Sequence, residues 1–293
     1  MIVSASYRTD IPAFYGEWFS NRLRAGYCTA VNPYNRKSYR VPLTPGEVDG
    51  FIFWTKDLSQ FRPRLAEVRE RGFPFVVQYS ITAYPRALER RAARFERSVA
   101  DMRFLAREYG PYAAVWRYDT ILFTSLTPLE FHRENFRRLA GLLEGSTDEV
   151  VVSFAQMYAK TRRSLERAAT EHGLTWEDPA ENAKRSFLVE LAAIARAKGM
   201  RLTVCGQREL LTPGIDDASC VDAGRLSEVA GRRLEVKGGS HREGCGCHAS
   251  RDIGAYDTCP YGCVYCYAVG SRETAVRRHR GHDPEGESLV APS

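Results

Sequence analysis

Six short apolar runs, spread over the first two thirds of the chain, constrain its fold more than any other feature. They are Ile2–Ser6, Gly50–Trp54, Phe75–Tyr79, Ala113–Trp116, Val150–Phe154 and Met200–Cys205. Each is rich in β-branched or aromatic residues, as strands buried on both faces tend to be. Helical periodicity fills the gaps between them. Phe61, Leu65 and Val68 recur at helical spacing, and Phe187, Leu188, Leu191 and Ile194 mark another helix that ends at Gly199. A longer stripe, Leu88, Ala92, Phe95, Val99 and Met102, predicts a helix between Arg86 and Arg107. Strands alternating with helices argue for βα units around a parallel sheet. Six units over residues 1–204 predict an α/β fold, a (βα)6 partial TIM-like barrel; a flat doubly wound sheet is the rival.

Polar residues follow each run. Arg8-Thr9-Asp10 comes after the first and Thr55-Lys56-Asp57 after the second, while Gln78 and Ser80 close the third. Arg117-Tyr118-Asp119 follows the fourth, Ser153 and Gln156 the fifth, and Cys205-Gly206-Gln207 the sixth. Functional groups of α/β barrels gather at the C-terminal ends of their strands, so six such clusters predict one shared mouth. The plainer reading is that polar loops follow any buried strand and that the charges only tie strand ends together.

Residues 205–293 have a different character. Glycine, cysteine and short polar turns replace helical periodicity, and the stretch from Gly281 to Ser293 is expected to fray. Seven of the eight cysteines fall in the last third of the chain, with Cys28 isolated and suited to core packing. No stretch approaches a membrane span, and no secretory signal opens the chain, so the expected setting is cytoplasmic, where clustered cysteines bind metal rather than form disulfides. The net charge of +6 comes from 42 basic and 36 acidic residues, an excess that suits an anionic substrate or nucleic acid without requiring either.

Cys259, Cys263 and Cys266 stand in a C-x3-C-x2-C pattern, with Tyr265 just before the last. Three thiolates in so short a loop suit a [4Fe–4S] cluster with one iron left open. Zinc prefers two cysteine pairs, although Cys245 and Cys247 are placed to complete such a site. Cys205, Cys220, Cys245 and Cys247 supply the thiolate count of a fully ligated auxiliary [4Fe–4S] cluster. Ordinary buried thiols are the alternative for one or two of them.

The triplet resembles the signature of the radical S-adenosylmethionine (SAM) enzymes, displaced here towards the C-terminus. Tyr7-Arg8-Thr9-Asp10-Ile11-Pro12, Phe53-Trp54-Thr55-Lys56-Asp57, Arg117-Tyr118-Asp119 and the tail from Cys245 through Asp252-Ile253-Gly254 to Cys259 resemble the bacterial family termed domain of unknown function eighteen-forty-eight. In its barrel that family is similar to spore photoproduct lyase. The resemblance implies a [4Fe–4S] cluster, SAM, and a one-electron reductant of the flavodoxin or ferredoxin kind. It implies that backbone near Tyr265 contacts adenine. Arg117, Gln78 or Ser153 is expected to hold the SAM carboxylate or ribose, an Arg fork suiting a carboxylate, and Arg117 is the first choice because it stands deepest in the barrel order, opposite the displaced loop. Arg8, Asp10, Lys56 and Asp119 are left for catalytic and substrate contacts. The usual Gly-Gly-Glu motif after the second strand is replaced by Thr55-Lys56-Asp57. A metal-stabilised nucleic-acid-binding protein without catalysis is the alternative. That alternative rests on the net charge and a possible zinc site. Within the SAM reading, the Arg-bearing stretch from Arg86 to Arg107 would suit a nucleic-acid substrate, unless Glu89, Glu96 and Asp101 make it a salt-bridged outer face.

Overall fold

The computed structural model describes residues 1–236 and 245–290. All six runs form parallel strands of one sheet: β1 (Ile2–Ala5), β2 (Gly50–Thr55), β3 (Phe75–Ser80), β4 (Ala114–Ile121), β5 (Glu149–Phe154) and β6 (Arg201–Val204). Two shorter strands, unforeseen from sequence, complete it: β7 (Asp216–Asp217) beside β6 and β8 (Ser250–Asp252) beside β1. The spatial order is β7-β6-β5-β4-β3-β2-β1-β8, so the chain steps from β1 to β7 without reversal and its tail returns to the other side of β1. The cysteine-rich region thus supplies both edge strands.

Alternation along the strands divides the interior into two layers. Val3, Phe51, Phe53, Phe75, Val77, Trp116, Val150 and Val152 belong to the layer formed with the helices, including Leu65 and Val68 of Arg62–Glu70 and Leu188 and Leu191 of Glu181–Arg196. Phe51 and Phe53 meet Phe19 edge-on at ring distances of 5.5 and 5.3 Å. Burying each such ring contributes roughly 1.5–3 kcal/mol. The opposite layer is smaller: Ile2, Ile52, Val76, Val115 and Val151 pack against Ala218, Cys220, Val221 and Leu226. Leu226 lies in the helix Ala223–Ala230, so the tail covers the face that the other helices leave bare.

Two expectations are corrected. The helix foreseen from Arg86 begins at Phe95 and runs to Tyr109. Pro85 instead opens a single turn, with the amides of Leu88 and Glu89 both bonding its carbonyl at 2.9 and 3.1 Å. The stretch after Gly281 is anchored through residue 290 rather than frayed. Trp18 Nε1 donates to the Gly286 carbonyl at 2.9 Å, the Thr29 amide donates to that of Glu287 at 2.8 Å, and Leu289 is buried.

Candidate functional site

The cysteine triplet sits over the C-terminal ends of the first three strands. Its loop is pinned from several sides. Tyr15 Oη donates to the Thr258 carbonyl at 2.6 Å, and Tyr267 Oη donates to that of Tyr7 at 2.6 Å. The Val264 amide donates to the Leu88 carbonyl at 3.1 Å, and Cys263 forms an antiparallel bridge with Glu89. Lys160, beyond β5, donates from Nζ to the Tyr267 carbonyl at 3.3 Å. Segments following β1, β3 and β5 therefore all touch this loop.

Glu89 is the centre of the arrangement, although in sequence it stands on an Arg-bearing stretch for which a salt-bridged outer face is one reading. It is 3% exposed. Its Oε1 accepts from Lys56 Nζ at 2.9 Å, from Thr82 Oγ1 at 2.6 Å and from Tyr265 Oη. Burial works to raise its pKa, but Lys56 and the hydrogen bonds from Thr82 and Tyr265 outweigh it and hold Glu89 below the usual carboxylate range. Burial likewise opposes the charge on Lys56, while Glu89 and Cys263 more than offset it. A cleft of about 240 Å³ opens beside this pair, lined among others by Lys56, Ser80, Thr82, Tyr84 and Glu89.

The thiols of Cys259, Cys263 and Cys266 are all pushed upward, first by burial. For Cys259 the next causes are Cys266, Asp10 and Cys263, and for Cys263 they include Glu89 and Cys266. The three sulfurs thus feel one another's charge. Asp10 lies against them as a helix cap: Oδ1 accepts from the Ala13 amide at 2.9 Å, and Oδ2 from the Lys56 amide at 2.7 Å and Thr55 Oγ1 at 3.1 Å. Burial raises its pKa to about 7 despite those bonds.

Arg117, Gln78, Asp119 and Ser153 form a second polar group on the tail-covered face. Arg117 donates from Nε to Asp119 at 3.1 Å and from Nη1 to Gln78 Oε1 at 3.1 Å and Cys220 Sγ at 3.0 Å. Asp119 also accepts from Ser153 Oγ, and burial is outweighed by Arg117 so that its pKa lies low. Arg8 lies between the Tyr7 and Tyr256 rings, with Asp252 at 3.9 Å and its buried Nε without a hydrogen-bond acceptor.

Cys205, Cys220, Cys245 and Cys247 come together beside Arg117. The Cys220 and Cys205 sulfurs are 3.4 Å apart, and Cys247, whose Sγ accepts from the Val221 amide at 3.4 Å, is near enough to Cys220 and Cys245 to shift their pKa values. The contact with Cys247 lowers the Cys245 pKa to about 7. Among the described residues, no three His, Cys, Asp or Glu side chains are arranged around one point so as to hold a single metal ion.

The family described as Domain of unknown function (DUF1848) matches residues 2–268. The chain belongs to that family. The DUF1848 match takes in both cysteine groups and every strand of the sheet. No curated protein matches the chain. Among solved structures, the D-hydantoinase of a Bacillus species aligns at 10% identity and a TM-score of 0.29, covering 55% of this chain and 34% of that one. A second D-hydantoinase aligns at 7% identity and a TM-score of 0.30, covering 66% and 36%. The DUF1848 chain therefore spans about a third of the length of these structures, and at such scores they carry no argument about fold or activity. Among the described residues, no helix is long and apolar enough to cross a membrane.

Proposed function

We propose that the protein is a radical SAM enzyme whose [4Fe–4S] cluster is held by Cys259, Cys263 and Cys266. The observation that supports this reading best is the seat of the C-x3-C-x2-C loop, over the C-terminal strand ends where α/β barrels carry their chemistry. The sheet is then an open (βα)6-type barrel, since the strand order from β1 to β7 never reverses.

The donor set suits such a cluster. A four-iron cluster takes each cysteine on a different iron, so three thiols need not meet at one point, and three ligands leave an iron for SAM. Their raised pKa values reflect the cost of bringing thiolates together in a buried place, a cost that bound iron removes. When bound, the cluster and SAM supply a carbon-centred radical that takes a hydrogen atom from the substrate.

The chain's own part is positioning. Lys56, Thr82 and Tyr265 converge on Glu89 and hold the cluster loop against the ends of β2 and β3. Asp10 fixes the turn after β1 to the one after β2. Arg117 is bonded to Asp119, Gln78 and Cys220, which withdraws it from the SAM carboxylate. Arg8, whose buried Nε makes no hydrogen bond although Asp252 lies 3.9 Å away, takes that role in this reading. Ser153 and Asp119 remain for the substrate.

The test is electron paramagnetic resonance of the anaerobically reconstituted, reduced protein with and without SAM. A cluster signal that SAM alters, and that a Cys263→Ala variant lacks, supports the reading. A reduced cluster whose signal SAM leaves unchanged contradicts it.

A further inference from the structure

The four remaining tail cysteines form a cluster of their own, which the proposed SAM chemistry does not use. Cys205 follows β6, Cys220 follows β7, and Cys245 and Cys247 precede β8, so three separate chain segments deliver them to one place. The Cys205 and Cys220 sulfurs touch at 3.4 Å, and Cys247 shifts the pKa of both Cys220 and Cys245. The Val221 amide points at Cys247 Sγ from 3.4 Å, and the Arg117 guanidinium points at Cys220 Sγ from 3.0 Å. An amide and a buried cation aimed at sulfur are what thiolates need when they bind metal, because such hydrogen bonds stabilise negative sulfur. Arg117 is 4% exposed, and Asp119 neutralises only one side of it.

We propose that Cys205, Cys220, Cys245 and Cys247 bind a second metal centre through four thiolates, on the inner face of the sheet and separate from the triplet. Four thiolates suit a zinc ion or a four-iron cluster, both thiophilic. The thiol protons now include one that Cys220 donates to Cys205, and no three of the sulfurs surround a point. Loading exchanges those protons for metal: each thiol releases H⁺ as its S–metal bond forms, with no change in the oxidation state of sulfur. The centre would lock β6, β7 and the entry to β8 together, joining both edges of the sheet.

The proposal does not depend on SAM chemistry, so its test removes the triplet. A full-length Cys259→Ser/Cys263→Ser/Cys266→Ser variant is purified and offered zinc, or iron with sulfide, under anaerobic conditions. We expect about one zinc per chain, or about four irons with a brown chromophore. Alkylation followed by mass spectrometry should show Cys205, Cys220, Cys245 and Cys247 protected in the loaded variant and Cys28 unchanged. Adding Cys220→Ser and Cys247→Ser should abolish loading. A folded triplet variant that retains neither metal, or loading that leaves these four thiols as reactive as before, overturns the proposal. Loss of SAM cleavage alone bears only on the triplet.

Discussion

At the scale of single residues, Glu89 holds the cysteine loop in place by accepting from Lys56, Thr82 and Tyr265. Cysteine spacing carries its own chemistry, whereas Glu89 lies in a run of arginines and alanines that looks like a solvated helix. Only the turn opened by Pro85 brings it inward to Lys56. Removing one partner of a buried ion pair leaves the other uncompensated, so Glu89→Ala should cost about 3 kcal/mol in urea unfolding. A shift in stability below about 0.5 kcal/mol, the range of surface substitutions, would return Glu89 to an exposed face. Arg8 and Arg117 separate along similar lines. Sequence ranked Arg117 first for the SAM carboxylate because of its depth in the barrel order, but its partners Asp119, Gln78 and Cys220 come from positions no spacing rule connects. Arg8→Ala should weaken SAM binding about tenfold, equivalent to about 1.4 kcal/mol, as measured by isothermal titration. Unchanged affinity would remove Arg8 from the site.

At the scale of elements, all six strands were legible because buried parallel strands are continuously apolar. The short edge strands β7 and β8 were not, since Asp216-Asp217 and Ser250-Arg251-Asp252 carry no apolar signal. The place of β8 beside β1 is set by side chains. Asp252 accepts from Ser4 Oγ at 3.1 Å, Ser6 Oγ at 2.6 Å and the amides of Tyr7 and Gly254 at 3.1 and 2.9 Å. The helix Leu129–Leu143 is tied to β4 in a comparable way. His132, fully buried, meets Tyr118 Oη at 2.9 Å and the Leu122 carbonyl at 3.0 Å. Burial lowers its pKa from 6.5 to about 4. The unfolded chain takes up the proton near pH 6.5 and the folded chain only near pH 4. The neutral imidazole's contribution is therefore full above pH 6.5 and is lost as pH falls through that window, by roughly 3 kcal/mol in all. A His132→Gln variant should lack this part of the acid sensitivity in denaturation series between pH 7 and pH 4. Parallel pH profiles for the two proteins would contradict it.

At the scale of the whole molecule, the first two thirds build a helix-covered sheet, and the tail covers the other face while supplying the cysteines. Gly50 shows how close that cover lies: a Cβ there would meet the Pro74 carbonyl at 2.8 Å and Leu226 Cδ2 at 3.0 Å. Gly50→Ala should destabilise the protein by about 1–3 kcal/mol through overpacking, measured by chemical denaturation. A variant as stable as the parent would contradict the close approach of the Pro74 carbonyl and Leu226 to Gly50. Composition changes near residue 205, but the tail's path was not legible, because contacts such as Tyr15 with Thr258 and Trp18 with Gly286 join residues more than two hundred positions apart.

If the triplet loop makes this chain a SAM-cleaving enzyme, as proposed, the reduced protein must form 5′-deoxyadenosine. The full-length protein, reconstituted with iron and sulfide without oxygen, is reduced in the presence of SAM and the nucleoside is quantified by mass spectrometry. The expected result is 5′-deoxyadenosine from the parent and none above background from Cys259→Ala, Cys263→Ala or Cys266→Ala variants of unchanged fold. A parent protein that holds its cluster yet forms no 5′-deoxyadenosine, or variants that form as much as the parent, would contradict the account.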